Sequence, residues 1–261
     1  MSNKRISREV FLNRNFDVVP GAFDLPHRHQ IPEHHHSRDQ LVYACAGVMT
    51  VITADGTWVV PPNRAVWVPA GVRHRLRMSG QVEMRTLYLR KRLASSLPRN
   101  CCVVSVPPLL REVIRHITEV GPLSRRLPAS RRLLEFLLDR LRELSTVRLH
   151  ANWPTDPRAR KVAELVATDP ASRATLDELA HRAGAAKRTI ERFFIAQTGL
   201  SFREWRRQLR LLKSLELLAA GKDVTTTALD VGYESTSAFI AAFRESLGTT
   251  PRQYFRNTAR T

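Results

Sequence analysis

Cysteine is scarce: Cys45, Cys101 and Cys102 are the three in 261 residues, an odd number with two adjacent. That excludes the disulfide framework of a small secreted domain, so the three read as buried or incidental thiols. A run of about twenty apolar residues able to cross a bilayer is missing too. No signal-like leader follows Met1, so a cytoplasmic location without a membrane partner is the expectation. Acidic residues are few against basic ones, 24 to 42, for a net charge of +18. The excess is 15 to 7 in residues 1–100, 9 to 5 in 101–150 and 18 to 12 in 151–261. A charge spread this way favours a polyanionic partner without locating the contact. A hydrophobic content of 43% suffices for ordinary cores in one or two domains.

What the chain does have is concentrated in residues 158–256. Thr175 and Glu178 form a capping box opening a short amphipathic helix with Leu176, Leu179, Ala180 and Ala183 on one side, ended by Gly184. After this turn, Ile190, Phe193 and Phe194 make an apolar face, while Arg188, Glu191 and Arg192 point away from it. An outward Arg pair at i and i+4 suits a helix that enters a major groove and offers guanidinium forks to guanine or phosphate. The pattern then returns: Ala180 and Gly184 align with Ala228 and Gly232, and Phe194 and Gly199 with Phe243 and Gly248, one residue having been added in the second turn. Between the copies, Ser201 and Glu204 cap a helix carrying Trp205, Leu209 and Leu212 and closed by Gly221. Its length of roughly 28 Å, at about 1.5 Å per residue, is close to one turn of DNA, so two successive major grooves come within reach of one subunit.

These residues resemble the AraC/XylS family of bacterial transcription regulators. Leu179-Ala180, Gly184, Arg192-Phe193-Phe194 and Gly199 carry the first half of the resemblance. Val224, Ala228, Gly232-Tyr233, Ser235, Ser237, Phe239, Phe243-Arg244, Gly248 and Pro251 carry the more specific second half. Two departures stand out: Thr227 where the family usually has an aliphatic residue, and Phe255 where Pro251 leads one to expect an Arg. The candidate DNA-contacting residues are Ala186, Lys187, Arg188, Thr189, Glu191 and Arg192 on the first recognition helix. On the second they are Ser235, Thr236, Ser237, Ala241 and Arg244. The resemblance implies double-stranded operator DNA as partner, and RNA polymerase as well if the protein activates.

From about Val18 to Leu89 the style changes to short β-rich runs, Leu41–Tyr43, Val48–Thr53, Trp58–Val60 and Ala65–Val68. They are separated by turns at Ala54-Asp55-Gly56, Pro61-Pro62-Asn63 and Pro69-Ala70-Gly71, which points to a barrel or jelly roll. His34-His35-His36, Gln40 and, beyond Gly71, His74 resemble the metal-holding motifs of the cupin family. Strand alternation places His34, His36 and Gln40 on one face if no bulge intervenes, and His74 inward against the outward Arg73, Arg75 and Arg77. Three imidazoles and an amide oxygen suit nickel, zinc, iron or manganese, although Gln40 replaces the usual Glu and removes a charge. The same residues equally suit lining an effector pocket. His27, His29 and His35 read as surface residues.

Residues 107–147 read as two helices, with Leu110, Val113, Ile114, Ile117 and Val120 in the first and Leu133, Leu134, Leu137, Leu138 and Leu141 in the second. Such faces pack onto the chain's own barrel, form a dimer interface, or both. Ala151 to Pro157 reads as a linker.

The expectation is therefore an α+β protein of two domains. Residues 1–95 form a cupin-like effector-sensing barrel, 96–153 a helical connector and dimerisation region, and 154–261 a double helix-turn-helix DNA-binding domain. The expected function is a dimeric, non-enzymatic transcription regulator responding to a small molecule or metal. The alternatives are a cupin metalloenzyme with a fused DNA-binding domain and a ligand-independent architectural DNA-binding protein.

Overall fold

The computed structural model describes residues 15–91, 93 and 97–258. The segment after Met1 and the boundary expected at 95/96 lie outside the described residues. The strands are β1 (Val18–Leu25), β2 (Gln30–His34), β3 (Asp39–Ile52), β4 (Gly56–Val60), β5 (Arg64–Val68), β6 (His74–Leu89), β7 (Cys102–Ser105), β8 (Thr146–Val147) and β9 (His150–Asn152). The helices are α1 (Pro108–Val120), α2 (Pro128–Arg142), α3 (Pro157–Thr168), α4 (Leu176–Arg182), α5 (Lys187–Thr198), α6 (Phe202–Ala219), α7 (Val224–Asp230), α8 (Thr236–Leu247) and α9 (Pro251–Thr258). No described helix is long and apolar enough to cross a membrane. Two compact units emerge, one of Met1–Val51 with Val60–Arg148, the other of Ile52–Val59 with Leu149–Thr261.

The first unit is an antiparallel sheet in the order β1-β6-β3-β5-β7-β8, with β2 also paired to β6. The two runs expected at Leu41–Tyr43 and Val48–Thr53 are one long strand, β3, passing through Gly47. Gly47 has φ +70°, and a Cβ there would sit 2.4 Å from the Gln81 carbonyl oxygen of β6. Only glycine lets the strand make this close irregular passage without breaking.

Helices α1 and α2 each begin with proline at the first turn, where the missing N–H costs nothing. Leu110, Ile114 and Ile117 of α1 and Leu134, Leu137, Leu138 and Leu141 of α2 join Leu41, Tyr43, Trp67, Leu87 and Leu89 of the sheet in one buried cluster. The broad apolar faces of the expected connector thus cover the chain's own sheet. Leu109, Val120, Leu127 and Phe136 are left exposed at their margins. Burial also pushes the Cys45 and Cys102 thiols up to about 11, which keeps them as unreactive thiols at neutral pH.

The second unit is helical, apart from a small β element built from the 52–59 hairpin and β9. The hairpin closes through Thr53 N–H to Gly56 O, and β4 pairs with β9 at Gly56↔Asn152, Thr57↔Ala151 and Trp58↔His150. Residues 151–152, read from sequence as linker, are therefore strand. Asp156 then caps α3, with Pro157 at its first position, and the Gln197 side chain of α5 accepts the N–H groups of Thr155 and Asp156 at 2.8 and 3.0 Å. Trp205 of α6 is fully buried. Its indole N–H donates to Asn152 O at 2.8 Å, and its ring meets Trp153 and Phe194 edge-on at 5.8 and 5.3 Å.

Both expected capping boxes are present, Thr175 with Glu178 and Ser201 with Glu204. Gly199 and Gly248 end α5 and α8 in the left-handed conformation, as a glycine after a helix does. The departure at Thr227 proves local: the residue is completely buried, and its hydroxyl has no hydrogen-bond partner among the described residues. A desolvated, unsatisfied hydroxyl is unfavourable, and the isosteric methyl removes that penalty. Thr227→Val is therefore expected to raise stability by about 1 kcal/mol in urea unfolding. A loss of stability would show that the hydroxyl is satisfied in solution.

Candidate functional site

The first helix-turn-helix is α4 followed by α5. The turn at Gly184 has φ +71°, and Ala186 sits at the N-cap of α5 in extended conformation. Ile190 and Phe194 are buried, so the opposite face is fixed outward. Ala186, Lys187, Arg188 and Arg192 are exposed, while Thr189 and Glu191 are half-buried. The Arg192 guanidinium lies 5.6 Å from the Phe193 ring centre, and Arg158 of α3 lies 5.3 Å from the same ring. The outward stripe continues to Ile195, which is 58% exposed. Sequence reasoning passed over Ile195 because an isoleucine on a helix is ordinarily core. It lies one turn after Arg192 on that outward stripe.

The second copy is α7 followed by α8. Phe239 and Phe243 are buried, whereas Ser235, Ser237, Ala241 and Arg244 are exposed and Thr236 half-buried. Ser235 is the N-cap, its hydroxyl accepting from Ala238 N at 3.2 Å, so its oxygen is already engaged by the helix. This face presents one long charged side chain where the first presents three.

In the first unit, His34, His36 and His74 converge, their ligand atoms lying within 4.8 Å of one another. His34 and His74 face each other in the β2–β6 register, with ring centres 4.4 Å apart. His34 Nδ1 lies 2.7 Å from Pro32 O and His74 Nδ1 2.9 Å from Val72 O. With Nδ1 committed to a carbonyl, Nε2 is the remaining nitrogen on each ring, the arrangement that orients a metal-binding imidazole. His74 is 1% exposed, and its Nε2 has no hydrogen-bond partner among the described residues.

Gln40 reaches this neighbourhood by another route than expected. A single alternating strand through His34, His36 and Gln40 does not form: β2 ends at His34, a bend at Ser37 and Arg38 follows, and β3 begins at Asp39. The bend is pinned by Gly71 N–H donating to His36 O and by Ala70 N–H donating to the buried Asp39 carboxylate, both at 2.8 Å. Gln40 Nε2 donates to Thr86 Oγ1 at 3.0 Å, and its Oε1 is buried with no hydrogen bond among the described residues. Two residues along β6, Tyr88 meets the His36 ring edge-on at 4.9 Å. Arg73 and Arg75 are exposed and Arg77 half-buried, while His74, Leu76 and Met78 point inward. His27, His29 and His35 are all exposed.

An antiparallel-sheet unit with a cluster of three histidines, followed by a helical unit with two helix-turn-helix elements, defines a ligand-binding regulator of transcription. The comparisons agree. The model of the AraC-like ligand binding domain matches residues 21–192, and a helix-turn-helix domain model matches 179–257. The chain is 35% identical over 223 residues to the HTH-type transcriptional regulator NimR of Escherichia coli, covering 85% of this chain and 81% of that one. It is 27% identical to the HTH-type transcriptional activator RhaR of Pectobacterium atrosepticum, covering 85% of each. Similarity to the HTH-type transcriptional regulator RipA of Corynebacterium glutamicum is 37% over 101 residues, 39% of this chain and 30% of that one. The chain belongs to the AraC family of DNA-binding transcription regulators with a ligand-binding domain.

The histidine cluster has a pH signature. Burial first, and then the neighbouring His34, His74 and His35, lowers the His36 pKa to about 4. Burial lowers that of His74 as well, against the Val72 hydrogen bond. An unfolded histidine titrates near 6.5, so between that value and 4 the unfolded chain binds more protons than the folded one. Stability present above pH 6.5 is thus lost as pH falls toward 4. His36→Gln is expected to flatten the dependence of the unfolding midpoint on pH in this window. Parallel curves for the variant and the wild type would refute the assignment.

Proposed function

We propose that this chain is a cytoplasmic, homodimeric regulator in which the His34–His36–His74 pocket receives a small-molecule effector or a divalent transition metal and thereby controls operator binding. The observation that carries this reading is the convergence of three imidazoles, one with a buried unsatisfied Nε2, in the ligand-binding domain of a DNA-binding family. Nitrogen donors of this kind suit nickel, zinc, iron or manganese, with Gln40 as an additional polar group nearby. A bound ion would supply a Lewis-acid centre to which an effector's oxygen or nitrogen attaches. The relatives being transcriptional regulators, the pocket is read as a sensor and not a catalyst. The exposed apolar residues Leu109, Val120, Leu127 and Phe136 on and beside α1 and α2 support dimerisation through these helices. If the protein activates transcription, RNA polymerase is a further partner.

On the DNA side, α5 is the stronger base reader, while α8 contributes phosphate anchoring together with methyl and hydroxyl contacts of weaker sequence preference, because α8 exposes small and hydroxylic groups with the single cation Arg244. Arg188→Ala or Arg192→Ala is expected to weaken operator binding by about 1 to 3 kcal/mol if each reads a guanine, and the double variant by more. The companion variant replaces His34, His36 and His74 together by Ala. It is expected to retain operator affinity and to lose both metal uptake and the ligand response, with a melting curve showing that it is folded. Full operator affinity in the double arginine variant would reject the DNA assignment. An unchanged response in a folded triple-histidine variant would remove the pocket from the mechanism, and turnover of a bound ligand would favour the metalloenzyme alternative.

A further inference from the structure

A second feature lies in the helical unit. Arg203, Arg206, Arg207 and Arg210 stand at i, i+3, i+4 and i+7 of α6 and so share one face of that helix. With Arg173 from the α3–α4 loop and Gly232-Tyr233-Glu234 from the α7–α8 turn, they line a cleft of about 810 Å³. The cleft therefore draws on the loop before the first helix-turn-helix, on the connecting helix α6 and on the turn of the second helix-turn-helix.

Its cations are held in place mainly by neutral groups. Arg206 donates to the carbonyls of Ala174, at 2.8 Å, and Ser172. Arg210 donates to Pro170 O at 2.9 Å and to Ser172 O at 3.2 Å. Gly232 permits this: at φ +83°, a Cβ would fall 2.5 Å from Arg210 Nη2 and 2.9 Å from the Ala171 Cα, so only a bare backbone closes over the guanidinium. The Arg206 Nε is buried with no hydrogen-bond partner among the described residues.

Carboxylates offset part of the charge. Glu204 is engaged by the Ser201 N–H and hydroxyl at 2.9 and 2.6 Å, and Arg207 pairs with the exposed Glu245. Glu234 lines the rim, and Asp169 acts on Arg206 and Arg210 from the α3–α4 loop. Arg173 and Arg203 are exposed at the mouth. Half-buried guanidinium groups fixed by carbonyls, with further arginines at the opening, are suited to an oxyanion that accepts several charge-assisted hydrogen bonds at once.

We propose that this arginine-lined cleft is a binding site for a phosphate-type oxyanion, supplied either by the backbone of bound DNA or by a soluble polyphosphate. The first source rests on the DNA-binding reading above, and the second does not. The test uses the full chain with two probes, inorganic tripolyphosphate and a mixed-sequence duplex of about 24 base pairs titrated from about 50 to 300 mM salt. The proteins are the wild type, Arg173→Ala/Arg203→Ala, and a control, Arg131→Ala/Arg132→Ala, which removes the same charge from exposed positions on α2.

The cleft variant is expected to bind tripolyphosphate about ten-fold more weakly than the wild type, and the control is expected to match the wild type. If the duplex salt slope also falls by about two units in the cleft variant alone, the DNA backbone is a source of the phosphate. If the slope is unchanged while tripolyphosphate binding is lost, the ligand is a soluble anion. Tripolyphosphate binding by a wild type that binds no duplex would overturn the DNA reading and leave the cleft standing. If the cleft variant and the control are indistinguishable with both probes, the proposal is overturned.

Discussion

The helical unit depends on the burial of one indole. Trp205 sits on α6, the helix that joins the two helix-turn-helix copies, and its N–H must find an acceptor because no water reaches it. It finds the carbonyl of Asn152, in the strand paired to the 52–59 hairpin, while its ring is held by Trp153 on one side and Phe194 of the first recognition helix on another. A single side chain thus ties α6, α5 and β9 together. The outward direction of Arg188 and Arg192 follows from it, since Phe194 cannot turn from Trp205 without turning the whole of α5.

The same logic of satisfied burial organises the ligand-binding unit. Arg38 is 7% exposed and Asp17 6%, a cost accepted only because each is bonded. Arg38 donates to the carbonyls of Phe16 and Asp17, and the Asp17 carboxylate accepts from Arg125 N at 2.7 Å and pairs with Arg90 at 3.5 Å. The bend before β3 is anchored by these bonds and by Asp39 on Ala70. Against that background two unsatisfied atoms lie close to the histidines. His74 Nε2 and Gln40 Oε1 belong to the same region of the sheet, joined through Thr86, Tyr88 and His36, and this is where the proposed effector or metal site is placed.

Local chemistry was legible in the sequence, and long-range pairing was not. Thr175 with Glu178 and Ser201 with Glu204 announce helix starts through bonds spanning three residues, and the glycines after α5 and α8 announce the ends. The repeat of glycines and aromatics then carried the fold of the helical unit. The three histidines were found by their spacing and by the inward parity of His74. Gln40 was placed on the wrong path, because a bend stabilised by Asp39 and Gly71, more than thirty residues apart, has no local signature. The 52–59 hairpin gave no sign of belonging with residues 149–261, since β pairing across nearly a hundred residues leaves no periodicity to read. The arginine cleft was hidden for a similar reason: an i, i+3, i+4, i+7 row of arginines looks like a solvated helix face until the loops that close over it are known.

Two helix-turn-helix elements joined by the single helix α6 are expected to let one chain read DNA at two places. Selection of bound duplexes from a random pool by the full-length protein tests it most directly. The expected sites carry two conserved blocks whose centres lie about one helical turn, some 10 base pairs, apart for each subunit, the block under α5 being the more sharply defined. Enrichment of a single block, of two blocks at variable spacing, or of no sequence at all would contradict it.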